Sequence, residues 1–216
     1  MEKREKHIAV VLHGIVDPIL YETIRTADMI IAADAAAIPL ITRGIVPHIS
    51  LGDFDSVTPD EKNIIMDAVS DVRIFDPEKD ATDGELALRV AIEYRPDIIS
   101  LYGATGGRID HMLGIICLLE VCLDAGITAE VLDLQNRIWI MKSGIAHVKQ
   151  DKEKPYISVI PISDTATVTL TGFLYPLTHK RLKRISTRGI SNEICEGIGT
   201  IIIHTGKVLC VQSGDH

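Results

Sequence analysis

The segment Ser50-Leu51-Gly52-Asp53-Phe54-Asp55-Ser56 sets two carboxylates one residue apart directly after an apolar run. On an extended loop alternate side chains share a side, so Asp53 and Asp55 can approach one hard cation through oxygen while Phe54 points elsewhere. Three further turns repeat the pattern. Asp34 follows the apolar residues 29–33, Asp80 and Asp83 follow 72–75, and Arg108 and Asp110 follow 98–102. In a parallel sheet these turns gather along one edge, outside the carboxyl ends of the strands, where open α/β sheets bind ligands. Asp83, at the start of a helical pattern, completes a set of three carboxylates with Asp53 and Asp55. Such a set suits magnesium, which phosphoryl-transfer sites hold with a few carboxylates and the substrate phosphates. A single Asp reads as a cap or a turn former, but four strand ends of this kind favour a metal-dependent phosphate site.

Gly103-Ala104-Thr105-Gly106-Gly107-Arg108 joins a predicted strand to a predicted helix. Its glycines let backbone N–H groups approach a phosphate at the helix N-terminus, although the G-K-[ST] of a Walker loop is missing. A glycine-rich turn alone often reflects tight packing. Arg108 adds a bidentate phosphate donor. Asp110 and His111 follow in the first helical turn, in reach of a substrate hydroxyl or base, and His111 reads equally as a structural cap.

The elements that must position these residues are legible as alternation. From His7 to about Asp124, short apolar strands alternate with segments of helical length, the pattern of βαβ units and a parallel sheet. Strands are expected at 7–12, 29–33, 48–51, 72–75 and 97–102. Thr58-Pro59-Asp60-Glu61 and Thr82-Asp83-Gly84-Glu85 read as helix starts in capping-box spacing, the first with proline in its first turn. After Gly126 the strands expected at 129–134, 138–141, 156–160, 165–170, 200–204 and 208–212 follow one another without helices, as in an antiparallel unit. The boundary is expected within 142–154, and the basic stretch 179–188 reads as a solvated hairpin or loop surface.

A net charge of −8 with no basic tract argues against nucleic-acid binding. The longest apolar run, near 112–119, is too short to span a bilayer. The charged first residues lack the apolar region of a secretory signal, so the cytoplasm is the expected location. Cys117, Cys122, Cys195 and Cys210 form no C-x-x-C pair and read as buried thiols of a reducing compartment.

The set Ala33-Asp34, Gly52-Asp53-Phe54-Asp55-Ser56, Lys79-Asp80-x-Thr82-Asp83-x-Glu85 and Gly103-x-Thr105-Gly106-Gly107-Arg108-x-Asp110-His111 resembles the thiamin pyrophosphokinase family in order and spacing. The resemblance continues through Thr171-Gly172-Phe173-x-Tyr175-Pro176-Leu177 and Ser191-Asn192-Glu193, so it covers nearly the whole chain. It implies an ATP:thiamin pyrophosphotransferase (thiamine diphosphokinase) that yields thiamin pyrophosphate and AMP. It further implies a homodimer with the active site at the interface. An α/β, open parallel-sheet (Rossmann-like) ATP- and magnesium-binding catalytic domain over 1–142 precedes a smaller all-β sandwich domain over 143–216, which serves thiamin binding and dimerisation. Asp53, Asp55 and Asp83 match the family's magnesium motifs and, with Arg108, would form the catalytic set. Asp34, Asp80, Thr82, Asp110 and His111 match the substrate pocket, together with Thr105, Gly106 and Gly107 of the glycine loop, and Ser191 and Asn192 match the thiamin-side segment. Family members commonly carry Gly after the first Asp, where this chain has Ala35, a substitution costly only if that position needs positive φ. The sole tryptophan, Trp139, is expected in the core or an interface.

Other readings stay open on the residues alone. The ATP half does not define the acceptor, so a pyrophosphokinase for a hydroxymethylpterin-like alcohol fits as well. A D-x-D phosphatase would use Asp53 as nucleophile but leaves the segment 106–111 unexplained. A non-catalytic nucleotide or thiamin sensor would be expected to lack the metal carboxylates.

Overall fold

A computed structural model describes residues 4–76, 78 and 80–215; Lys79 of the motif quoted above lies outside them. The chain divides into two compact units, 1–134 and 135–216. The first holds six parallel strands: β1 (His7–Val11), β2 (Met29–Ala33), β3 (Ile49–Gly52), β4 (Asp71–Ile74), β5 (Ile98–Tyr102) and β6 (Thr128–Leu132). Their order is β6-β5-β1-β2-β3-β4. The chain builds outward from β1 to β4, then crosses back to add β5 and β6 on the other side of β1. The switch of direction lies between β1 and β5, the place where open α/β sheets form a ligand crevice beyond the strand ends.

The helices of this unit are α1 (Leu20–Arg25), α2 (Ala37–Ile41), α3 (Pro59–Ala68), α4 (Asp83–Glu93) and α5 (Ile109–Asp124). β1, β2 and β3 are rich in apolar residues because both sheet faces are covered, and Ile8, Ile31 and Leu51 are fully buried, as is Ser50. The sixth parallel strand is a correction: residues 129–134 were expected in the antiparallel unit. α5 leads directly into β6 through Gly126, whose φ of +74° ends the helix, so β6 closes one more crossover unit.

α3 starts as expected, with a reciprocal box. Glu61 N donates to Thr58 Oγ1 (3.3 Å) and Thr58 N donates to Glu61 Oε2 (2.8 Å), with Pro59 in the first turn. At α4 only half of the box forms. Thr82 Oγ1 accepts from Glu85 N at 3.2 Å, while the Glu85 carboxylate turns to Arg89 one turn along, 2.7 Å away.

The second unit contains β7 (Asn136–Met141), β8 (Gly144–Lys149), β9 (Tyr156–Pro161), β10 (Thr165–Thr171), β11 (Leu177–Lys183), β12 (Asn192–Glu193), β13 (Ile198–Thr205) and β14 (Val208–Ser213). They pair antiparallel in the orders β12-β9-β14-β7 and β11-β10-β13-β8. Trp139, Val159 and Cys210 from the first group share one buried cluster with Val168, Leu170 and Ile203 from the second, in line with the core role expected for Trp139.

Two segments read as connections are strands. Residues 144–149, inside the expected boundary, pair with β13 although most of their side chains are exposed, which hides the strand from a hydrophobicity reading. Residues 177–183 form an edge strand whose Lys180, Arg181 and Lys183 face solvent while Leu182 is buried, so the basic stretch blocks further strand pairing at this edge. The division at 134/135 precedes the expected 142/143 because β7 is paired along its length with β14. Cys122 and Cys210 are buried, and burial pushes both thiols up to about 12. Cys117 and Cys195 are exposed, against expectation: Cys117 lies on a stripe of α5 whose Ile109 and Leu113 are exposed too.

Thr58→Ala removes the acceptor for Glu61 N, and the expected loss is about 1 kcal/mol of unfolding free energy, measured by urea denaturation.

Candidate active site

The loop after β3 is held by an inward anchor. Phe54 is 4% exposed and packs in the cluster of Tyr21, Ile65 and Tyr102, although its φ of +58° is one that bulky residues rarely adopt. Such a conformation costs on the order of 1–3 kcal/mol and persists where packing over-determines it. With Phe54 turned in, Asp53 and Asp55 stay on the outer side, and Asp55 N donates to Asp53 Oδ1 at 3.2 Å. Gly52, with φ +151°, lets the end of β3 approach the next turn: a Cβ there would lie 3.2 Å from Cα and Cβ of Asp34.

Asp34 begins a single 3₁₀ turn, Asp34–Ala36, at the end of β2. Its own φ is +52°, whereas Ala35 is not among the residues of positive φ. The left-handed position is thus the Asp, a residue that tolerates it, and the alanine run continues helically into α2 without penalty. Asp34 is 7% exposed. Ser56 Oγ donates to its Oδ2, while Oδ1 is buried and accepts no hydrogen bond.

Asp34, Asp53 and Asp55 each offer a carboxylate oxygen within 4.8 Å of the other two. The Asp55 carboxyl is raised above its ordinary range, first by the charge of Asp53, then by desolvation and by the charges of Asp34 and Asp83. Asp83 therefore belongs to the same electrostatic group. Its place is set by the first turn of α4, where a Cβ on Gly84 would lie 3.0 Å from Ile115 Cδ1 and 3.4 Å from Leu12 Cδ2. The close grouping brings in Asp34, which the sequence assigned to substrate, beside the expected Asp53 and Asp55. Asp80 is exposed, and Thr82 serves as the α4 cap.

The glycine loop packs backbone to backbone against the loop after β1. A Cβ on Gly103, whose φ is +70°, would strike the Leu12 carbonyl oxygen, and one on Gly14 would strike the Gly103 carbonyl. Gly106, with φ +76°, lies against Ile15. Gly106 and Gly107 are exposed and Thr105 is half-buried, so the loop surface over the β1/β5 crevice is largely backbone. Arg108 caps α5 without a side-chain bond to its turn. Its guanidinium forms a fork with Asp110, Nε to Oδ1 at 3.1 Å and Nη2 to Oδ2 at 2.6 Å. That pair holds the Asp110 carboxyl down to about 2. His111 N donates to Asp110 Oδ1 at 3.0 Å, so Asp110 performs the capping that the sequence left open for His111. Gly14 and Ser56 are contributors that sequence reasoning passed over. A glycine just past the first apolar strand and a hydroxyl ending D-x-D-S were the available signals.

In the second unit Ser191 has φ +54° and donates its N–H to Ser158 Oγ at 3.1 Å. Asn192 is 7% exposed, and its amide braces Tyr175 on both sides, accepting from Tyr175 N (3.0 Å) and donating to Tyr175 O (2.8 Å). Asn192 thus shapes the 173–176 turn, which leaves the Tyr175 ring 65% exposed.

Two family models match the chain, "Thiamin pyrophosphokinase, catalytic domain" over residues 20–131 and "Thiamin pyrophosphokinase, vitamin B1 binding domain" over residues 145–210. The chain is 40% identical over 186 residues to thiamine pyrophosphokinase of Bacillus subtilis, covering 86% of this chain and 87% of that protein. It superposes on the crystal structure of the Bacillus subtilis thiamine pyrophosphokinase with a TM-score of 0.91 at 38% identity, covering 98% of this chain and all of the other. The Geobacillus thermodenitrificans thiamin pyrophosphokinase gives 0.87 at 35% identity, with 97% and 98% covered. With both matches falling on the motif-bearing segments and the similarity extending over nearly the full length, the chain belongs to the thiamin pyrophosphokinase family.

Proposed function

We propose that this chain transfers the terminal pyrophosphoryl group of ATP to the hydroxyl of thiamin, giving thiamin pyrophosphate and AMP. The observation that carries the reading is the grouping of Asp34, Asp53 and Asp55 at the ends of β2 and β3 in a chain of this family. Transfer to another acceptor alcohol and D-x-D phosphatase chemistry are not favoured, since the vitamin B1 binding match covers 145–210 as well.

The donor set fits a hard divalent cation: the ligands are oxygens, and Oδ1 of Asp34 is a buried acceptor with no hydrogen bond. Asp34, Asp53 and Asp55 would hold magnesium, with Asp83 as the next carboxylate, and a bound ion would supply positive charge to offset that of the phosphates. The chain's own contribution is placement. The Gly103–Gly107 backbone lies over the crevice at the N-terminal end of α5, where N–H groups suit phosphate oxygens. Arg108 meets developing charge on the transferred group by exchanging its fork from Asp110 to phosphate. The thiamin hydroxyl oxygen attacks the β-phosphorus, the bond from that phosphorus to the oxygen bridging to the α-phosphate breaks, and AMP leaves with that oxygen. A carboxylate of the site takes the hydroxyl proton.

Family membership supports a Rossmann-like catalytic domain in the first unit, a β-sandwich in the second that helps hold thiamin, and a homodimer with Ser191 and Asn192 on the thiamin side. The unpaired thiols of Cys122 and Cys210 accord with a cytoplasmic setting.

With ATP, magnesium and thiamin, chromatography is expected to resolve thiamin pyrophosphate and AMP in equal amounts; ADP with thiamin monophosphate would overturn the reading. Asp53→Asn is expected to lower turnover by roughly 10²-fold or more, measured in the same assay.

The carboxylate group also sets a pH dependence. Because the folded state raises the Asp55 carboxyl above its ordinary 3.8, the contribution of Asp55 favours folding at low pH and is lost as pH rises through the raised value. Magnesium relieves the same repulsion, so its stabilisation is expected to be larger at neutral pH than near about pH 4. Asp53→Asn is expected to raise the metal-free Tm at neutral pH and to flatten the magnesium response, read by calorimetry.

A further inference from the structure

We infer that Ser56 is a positioning residue for the Asp34 carboxylate, fixing it so that Oδ1 is offered to the cation or to a polar group of the bound nucleotide. This rests on the reading of the site given above. The torsion that turns a carboxylate about its last bond is soft and nearly two-fold, so a buried Asp with no directional partner presents either oxygen. Here the two oxygens differ: Ser56 Oγ donates to Oδ2, and Oδ1 is left buried with no hydrogen bond. Asp34 is buried, with 7% of the residue exposed.

The backbone prevents Asp34 from adjusting in other ways. Its φ of +52° fixes the direction of Cβ, and the Cα of Gly52 packs so closely that even a methyl would come within 3.2 Å of Asp34 Cα and Cβ. Ser56 extends from the same short turn that carries Asp53 and Asp55, and that turn is tied down by the buried Phe54. One hydroxyl therefore links the carboxylate on the β2 end to the two on the β3 end, and all three oxygens stay within 4.8 Å. Ser56 itself is exposed, so a larger residue that keeps the hydroxyl has room.

The test compares wild type, Ser56→Ala, Ser56→Thr, Asp34→Ala and the double variant Asp34→Ala/Ser56→Ala. Two readouts are taken: kcat and KM for thiamin pyrophosphate formation, and the magnesium concentration giving half of the maximal rise in Tm. Loss of an outer partner of a ligand typically costs about 10- to 100-fold. Ser56→Ala is expected to lower kcat and raise the half-saturating magnesium concentration within that range, with the metal-free Tm within a few degrees of wild type. Ser56→Thr is expected to restore both, and the double variant to be no worse than Asp34→Ala. An unchanged kcat and magnesium response in Ser56→Ala overturns the inference. So does a penalty that adds fully to that of Asp34→Ala, or a folded Ser56→Thr that fails to rescue. The magnesium titration needs no turnover: if wild type made no thiamin pyrophosphate the functional reading would fall, while the Tm response would still decide the role of Ser56.

Discussion

Like charges held together against their own repulsion set the terms for the first unit. Asp34, Asp53 and Asp55 sit at neighbouring strand ends, where the charges of Asp53 and Asp34 raise the proton affinity of Asp55. Against that repulsion stand the Ser56 hydroxyl on Asp34 and the Asp55 N–H on Asp53. The buried strands β1 to β3 force the turns together, Gly52 permits contact at van der Waals distance, and Phe54 locks the outer loop into the core. Folding free energy from apolar burial is thereby stored as a preorganised acidic site, the usual relation between a hydrophobic frame and a strained functional turn.

Positive charge is distributed differently. Arg108 is exposed and already paired with Asp110. In the proposed reaction, exchange of one oxygen partner for another would keep the guanidinium fork satisfied, which limits the desolvation cost of admitting a polyphosphate. The backbone of the glycine loop adds donors without adding charge, and the net charge of −8 is compatible with a nucleotide ligand only because such local features offset it.

The parallel half of the fold was legible because its central strands are buried on both faces and α3 and α4 begin with recognisable caps. β6 was misassigned for want of a sequence difference between a parallel and an antiparallel strand of five residues. β8 and β11 were obscured because edge strands carry exposed and charged side chains, so pairing partners and not hydrophobicity define them. At the site, Asp53 and Asp55 could be grouped from spacing alone. The approach of Asp34 depends on a missing Cβ at Gly52 and on a left-handed Asp, neither of which periodicity reports. Asn192 illustrates the converse: its motif suggests ligand contact, while its amide is engaged with the Tyr175 backbone.

The interlocked glycines after β1 and β5 bear on how far this scaffold can be diversified. A side chain at Gly14 would strike the Gly103 backbone and one at Gly103 the Leu12 carbonyl oxygen, and Gly103 is left-handed as well. Gly107, in the same loop, has open space around its Cα and an ordinary φ. A combinatorial library over this loop thus has usable variation at 107 and almost none at 103. Any attempt to reshape the crevice must treat the two loops as a single grafting unit, exchanged together or not at all.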